Sequence, residues 1–324
     1  MRRLLRIVRN LFLLFVVLVA AIWLFGPREP VDEAITFQDE SLGDDLDAYL
    51  AAAEAEFGEI VPGTEKRIVW AGAVGQKTPL AVVYLHGWSA SAEEIRPVPD
   101  RVAAALGANL YFTRLSGHGR TGEALATATA GDWINDVAEA MAIGRRLGQR
   151  VLVIGTSTGG TLAADLALRS GVNRDLAGVV LISPNFRVRD PAAILLTVPF
   201  ARWFVPLLAG KTRSWHGLNQ AHERYWTNSY PTVATLPMAA LVRHTARLDF
   251  SRARVPALFL FTMQDPVVDH RLTRIVASQW GGEVKVVNPP VDDAAQAHVI
   301  AGDIVSPKRT DLAVEVITDW AKGL

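Results

Sequence analysis

The feature that most limits how this chain can fold is a rhythm. Short apolar runs rich in β-branched residues recur at Arg67–Trp70, Leu80–Leu85, Asn109–Phe112, Arg150–Ile154, Gly178–Ile182, Ala257–Phe261 and Glu283–Val287. Segments with helical character separate most of them: Ala92–Leu106, Asp132–Leu147, Gly160–Ser170 and Arg271–Trp280, with Asp311–Trp320 after the last run. A strand with one wet face alternates apolar and polar residues, whereas these runs are apolar almost throughout, so both faces are buried. Buried strands alternating with helices define an α/β fold, a mostly parallel central sheet flanked by helices. The 324 residues suffice for one large domain of this kind. An Ala/Glu/Asp-rich stretch at Gly43–Phe57 adds a short helix before the first run.

One connection breaks the rhythm. About seventy residues separate the run ending near Ser183 from the one starting at Ala257, far above an ordinary link. They hold Phe186, Phe200, Trp203, Phe204, Trp215, Tyr225 and Trp226, and six prolines from Pro184 to Pro237. We read residues 186–250 as a helical insertion with a small core of its own. It is expected to form a cap over the carboxyl edge of the sheet, where open α/β sheets bind ligands.

The amino terminus is a separate object. Arg2, Arg3, Arg6 and Arg9 precede an apolar run from Leu11 to Phe25, closed by Gly26-Pro27-Arg28-Glu29-Pro30. As a helix that run spans roughly 22 Å, short of the ~30 Å hydrocarbon core. Leu4, Leu5, Ile7 and Val8 extend it while the arginines snorkel to the surface. A cleaved signal and an amphipathic surface helix both compete with a signal anchor. Cleavage near Ala20-Ala21 would give a secreted form but leave Ile22-Trp23-Leu24-Phe25 at the new terminus, so the anchor is preferred. Residues 1–30 are thus read as a membrane helix with its stalk, and 31–324 as the folded domain. The arginines keep the short end in the cytoplasm and place the domain on the periplasmic or extracellular side.

Charge and cysteine content remove other classes. Lys plus Arg and Asp plus Glu both number 33, and no basic stripe or finger spacing points to a nucleic-acid partner. The chain has no cysteine, which removes disulfides, thiolate metal sites and a cysteine nucleophile together.

Chemistry concentrates at VLVIGTSTGGTLAADLAL, residues 151–168. A Gly-X-Ser-X-Gly pattern arises by chance in roughly one chain in ten of this length, given ~7% glycine and serine. Here it follows a buried strand and opens a helix, as a nucleophile elbow requires, although a plain glycine turn uses the same letters. Serine needs a base, and the base needs an orienting acid. Of the seven histidines, His216, His222 and His244 lie in the insertion and His270 opens a helix. His86 and His118 sit in glycine-bounded turns upstream of the serine, leaving His298 after the last strand as the base. The acid is Asp265 or Asp269. Asp265 lies nearer the strand end and Asp269 suits a helix N-cap, so Asp265 is favoured. The order Ser157, Asp265, His298 is the one the α/β-hydrolase fold needs.

LHGWSAS (85–91), RLSGHGRT (114–121), GTSTGG (155–160), QDPVVD (264–269) and AHVI (297–300) together resemble the α/β-hydrolase superfamily, nearest its monoacylglycerol lipase and bacterial carboxylesterase group. That resemblance implies an eight-stranded, mostly parallel sheet with a cap after strand six. It implies catalytic roles for Ser157, Asp265 and His298, and an oxyanion hole from the backbone N–H groups of Trp88 and Thr158. His86, Gly87 and His118 would be structural beside the site. The threonines flanking Ser157, and everything before Leu80, are not hallmarks of the family. The expected activity is hydrolysis of a small lipophilic carboxylic ester, with no metal or cofactor. An acyltransferase using the same triad, and a membrane-tethered binding module with a relict site, are the alternatives. Dehalogenases and epoxide hydrolases of this fold carry Asp at the elbow, and Ser157 argues against both.

Overall fold

The computed structural model describes residues 2–290 and 296–324. Helix α1 (Arg2–Phe25) carries the amino-terminal apolar run and none of it is buried. Its 24 residues span about 36 Å, and its apolar stretch has a mean hydropathy of 2.5. The arginine-bearing turns therefore supply the length that Leu11–Phe25 lacks alone. After the stalk come α2 (Leu46–Ala55), capped by the Asp45 carboxylate, and the edge strand β1 (Arg67–Val69).

The repeating part then begins. Strand β2 (Thr78–Leu85) leads through turns into α3 (Val98–Leu106), followed by β3 (Asn109–Phe112). Helices α4 (Gly122–Thr127) and α5 (Ala130–Leu147) precede β4 (Gly148–Thr156). Thr129 and Asp132 form a capping box that fixes where α5 starts. Next come α6 (Thr158–Leu166) and β5 (Leu176–Ile182). The insertion contains α7 (Ala201–Ala209), β6 (Thr212–Ser214), α8 (Gln220–Tyr225), β7 (Ser229–Pro231) and α9 (Thr235–Thr245). The chain closes with β8 (Ala257–Leu260), α10 (His270–Gln279), β9 (Val284–Val287) and α11 (Thr310–Ala321).

Seven strands form the main sheet in the order β1-β3-β2-β4-β5-β8-β9. Only β1 is antiparallel to its neighbour. All seven apolar runs are therefore strands, in an α/β-hydrolase arrangement. The strand count departs from the eight implied by resemblance. Five strands precede the insertion and two follow it, so the strand that is not seen among the described residues belongs before the insertion. The insertion itself is not purely helical, because β6 and β7 pair as a small antiparallel ribbon. Three-residue strands are too short to show a period of two.

Burial on both faces explains the apolar runs. Along β2, Ala81, Val83 and Leu85 enter the core shared with α5 and α6, while Val82 and Tyr84 enter the one shared with α3 and α11. A buried Arg114–Glu54 pair ties the loop after β3 to α2, with Nε and Nη2 reaching the two carboxylate oxygens at 2.8 and 3.0 Å. Arg114 is 3% exposed. Removing one member of such a pair strands the other without solvent. Glu54→Ala is expected to destabilise the fold by about 3–5 kcal/mol, read as a lowered thermal midpoint of the detergent-solubilised chain.

Candidate active site

Strand β4 stops abruptly, and the site begins there. Ser157 sits at φ 52° and ψ −113°, a strained region costing on the order of 1–3 kcal/mol for a residue with a side chain. Its surroundings hold it in place. The Ser157 N–H donates to the Ile182 carbonyl at 2.9 Å, and its own carbonyl accepts from Thr161 at 3.0 Å and Asn185 at 3.1 Å. Glycine is needed on either side. A Cβ at Gly159 would overlap the Leu85 carbonyl oxygen, and one at Gly155 would overlap that of Gly159. The amino end of α6 thus presses directly against the carboxyl ends of β2 and β4.

The structure brings Ser157, His298 and Asp265 together. His298 Nε2 lies 2.9 Å from Ser157 Oγ, and His298 Nδ1 lies 2.8 Å from Asp265 Oδ2. The other carboxylate oxygen of Asp265 accepts the N–H groups of Val267 and Val268 at 2.8 and 2.9 Å. Arg189 binds the Asp265 carbonyl at 2.7 Å, locking the turn after β8. Asp269 is excluded from this chain of contacts. It caps α10, accepting from the Arg271 N–H at 3.1 Å, and pairs with the Arg271 guanidinium.

Electrostatics separate three histidines. Burial alone would push the His298 imidazole down, but the Asp265 carboxylate outweighs it with help from Glu94, so His298 is held above the ordinary histidine value. His86 is fully buried with no carboxylate beside it, so its value falls well below normal and the ring stays neutral. Its Nδ1–H donates to the Gly87 carbonyl at 2.9 Å while Nε2 accepts the Leu115 N–H at 3.1 Å. Burial pushes His118 down to about 4. That ring packs edge-on against both His86 and Trp133. Both rings therefore brace the loops after β2 and β3.

Thr158 is the first residue of α6, so its N–H is an orphan donor of the helix end. Neither that N–H nor the one of Trp88 has a protein acceptor among the described residues. The Trp88 loop is fixed from behind. The Gly87 N–H donates to Glu94 Oε2 at 2.7 Å, and Tyr84 Oη donates to the same oxygen at 2.9 Å. Tyr84 Oη also lies 3.2 Å from Thr156 Oγ1, next to Ser157. Burial raises the Glu94 carboxyl above its ordinary value. A Cβ at Gly87 would come within 2.6 Å of Glu94 Oε1, so only glycine admits the contact. Sequence reasoning missed Glu94 because it falls in a stretch read as the start of a helix. In the structure α3 begins only at Val98.

The insertion's aromatic residues divide into groups. Trp226 packs with Ala90, Val299 and Val305, and Trp88 meets Tyr230 edge-on at 4.8 Å. The Thr227 N–H donates to the Ser89 carbonyl at 2.7 Å, joining the insertion to the Trp88 loop. Phe186 is in the main core against Phe250. Phe200 and Trp203 pack on each other at the start of α7, where the stalk arrives.

A parallel sheet, a strained serine at the strand–helix turn, and a histidine within hydrogen-bond reach define a serine ester hydrolase of α/β-hydrolase fold. Residues 76–288 match the family described as serine aminopeptidase, S33, and the chain belongs to that family. Ser157 and Asp265 lie inside the matched span and His298 beyond it. A thermostable monoacylglycerol lipase from Bacillus sp. (strain H-257) is 28% identical over 191 residues, covering 59% of this chain and 72% of the relative. Among solved structures, a lipolytic enzyme from a metagenome-derived pair, LipS and LipT, superposes with a TM-score of 0.67. It is 21% identical, covering 82% of this chain and 100% of its own. A soluble variant of Saccharomyces cerevisiae monoglyceride lipase gives 0.58 at 10% identity, over 80% of this chain and 91% of its own.

Two measurements follow for Glu94. Glu94→Ala removes the acceptor behind Gly87, so kcat should fall by roughly tenfold to a hundredfold, the worth of one hydrogen bond to a charged group. Glu94→Gln keeps an acceptor but removes a negative charge that favours protonated His298. Only neutral imidazole can accept a proton, so with His298 as the base the wild-type acid limb of kcat/KM is expected above the ordinary histidine value. In Glu94→Gln that limb should move to lower pH.

Proposed function

We propose that this protein hydrolyses lipophilic carboxylic esters through an acyl-enzyme on Ser157. The observation that carries the reading is the unbroken chain of contacts from Ser157 Oγ through His298 to Asp265. His298 Nε2 accepts the serine proton as Oγ attacks the acyl carbonyl. Asp265 holds Nδ1–H, fixing the tautomer, and stabilises the imidazolium that forms. The carbonyl oxygen becomes an oxyanion facing the N–H groups of Trp88 and Thr158, and each such donor is worth roughly 3–4 kcal/mol in the transition state. His298 returns the proton to the departing alcohol. Water then attacks the acyl-enzyme with His298 again as base, and the carboxylic acid leaves.

Residues 1–30 serve as a membrane anchor and stalk, residues 31–324 form the catalytic domain outside the cytoplasm, and the insertion acts as a cap. Support for a lipophilic substrate comes from three sides. The Bacillus and yeast proteins above are named for monoacylglycerol or monoglyceride hydrolysis. Trp88, Trp226 and Tyr230 surround the Trp88 loop with apolar surface. The amino-terminal helix has the length and composition to hold the domain at a bilayer.

Ser157→Ala should abolish turnover of short- and medium-chain nitrophenyl esters and labelling by a fluorophosphonate probe. Asp265→Asn should lower kcat by roughly 10⁴-fold by favouring the wrong imidazole tautomer. Retained hydrolysis or labelling in Ser157→Ala removes the serine from the role.

A further inference from the structure

The stalk and the insertion, including helix α9, line a cavity of about 270 Å³ formed by Arg28, Glu29, Thr197, Arg243, His244 and Arg247 among others. Nothing in the ester chemistry uses it. Its charge is one-sided. Glu29 is engaged by Arg202 at 2.5 and 3.1 Å, and His244 faces Glu33 and Asp165 at 3.6 and 3.8 Å. No carboxylate lies within 4 Å of Arg28, Arg243 or Arg247 among the described residues. Arg28 donates to the Trp23 carbonyl at 2.5 Å, capping α1, and its Nε is buried without an acceptor. Arg243 donates to the Thr197 carbonyl at 2.7 Å. Burial holds the Arg243 guanidinium below its ordinary value, and the charges of Arg247 and Arg28 add to the effect. Three guanidiniums from two parts of the chain thus repel one another around an open space, which an anion placed between them would relieve.

We infer that this cavity binds a phosphate group, and that the phosphate belongs to the headgroup of an anionic phospholipid. Guanidinium forks match phosphate oxygens in geometry and charge. The lipid source follows from position. Arg28 stands three residues beyond Phe25, where the apolar helix ends, so the cavity sits at headgroup depth beside the anchor. The stalk is fastened there. The Phe200 N–H donates to the Pro27 carbonyl at 2.8 Å, and Gly26 packs so closely on Pro199 that a Cβ would lie within 2.6 Å of it. In the same part of the insertion, between Asp190 and Gly210, Leu195, Trp203, Leu207 and Leu208 are exposed, with Leu207 at 79%. Acyl chains would lie against these side chains and α1 while the headgroup occupies the arginines. This inference rests on the membrane-anchor reading of residues 1–30.

The test uses the full chain in dodecylmaltoside micelles, with thermal stabilisation as the readout. Dihexanoylphosphatidylglycerol, dihexanoylphosphatidylcholine and inorganic phosphate are titrated separately. Saturable stabilisation by the glycerol lipid is expected, at least tenfold tighter than by the choline lipid or by phosphate. The double variant Arg243→Gln/Arg247→Gln should lose at least tenfold of that affinity while hydrolysing a soluble nitrophenyl ester at the wild-type rate. Equal affinity for phosphate alone would overturn the lipid assignment in favour of a free anion. Unchanged lipid affinity in the double variant would overturn the site. Alkaline carbonate extraction of membranes tests the anchor separately. A chain released by carbonate that still binds the lipid through its arginines would refute the anchor and keep the site.

Discussion

The structure depends on one close approach, that of the amino end of α6 to the carboxyl ends of β2 and β4. Gly159 lies against the Leu85 carbonyl and Gly155 against Gly159, with no room for a side chain at either position. This contact does three things together. It forces Ser157 into a left-handed conformation that lifts its hydroxyl clear of the sheet. It aims the orphan N–H groups of the helix toward the same point, with the helix dipole behind them. It also sets the chain that follows Leu85 directly against the start of α6, where Gly159 meets the Leu85 and His86 carbonyls. The strain of roughly 1–3 kcal/mol at Ser157 is small against the two buried cores that flank the sheet.

Around that point, burial acts on each ionisable group according to its neighbours. His86, His118 and His298 all lose water. The first two have no carboxylate beside them and are held low, which suits His86 as the bridge between the Gly87 carbonyl and the Leu115 N–H. His298 alone has Asp265 at hydrogen-bond distance and Glu94 nearby, and its basicity rises instead of falling. The same burial therefore leaves two of these rings well below the ordinary histidine value, while the neighbouring carboxylates lift the third above it. Glu94 belongs to both sides of this division. It holds the Gly87 amide in place and contributes negative potential at His298, so loop geometry and basicity depend on one carboxylate.

Much of this was legible in the sequence, for physical reasons that also explain what was not. Strands buried on both faces write themselves as continuous apolar runs, and every such run from Arg67 to Val287 is a strand. The turn at Gly155–Gly160 is legible because close packing permits few residues there. Asp265 could be preferred over Asp269 because an N-cap has its own signature, and Asp269 does cap α10. Glu94 was not legible. Its role comes from a side chain folding back on Gly87 from a turn that looks helical in composition, and no periodicity encodes that. The β6–β7 ribbon was not legible for another reason. Its strands, Thr212–Ser214 and Ser229–Pro231, are three residues long and mostly polar, so they leave no apolar run to read.

The insertion keeps a small core of its own, in which Phe204 packs with Ala201, Val205 and Leu236, but its other aromatic residues are spread more widely. Phe186 belongs to the main core, Trp226 and Tyr230 pack over the Trp88 loop, and Phe200 lies against Gly26 of the stalk with Trp203 exposed beside it. One stretch of chain thus meets the site at one end and the exit of α1 at the other. Thr227 binds the Ser89 carbonyl and Phe200 binds the Pro27 carbonyl, so the same insertion is hydrogen-bonded to both. A helix fixed in a bilayer would therefore orient the insertion as well as tether the domain. The surface carrying Trp203 and Leu207 would face the lipid, while Trp226 stays packed on Ala90 beside the Trp88 loop. In that arrangement an anchor would do more than raise local concentration, because it would also fix how the insertion and the Trp88 loop face the bilayer.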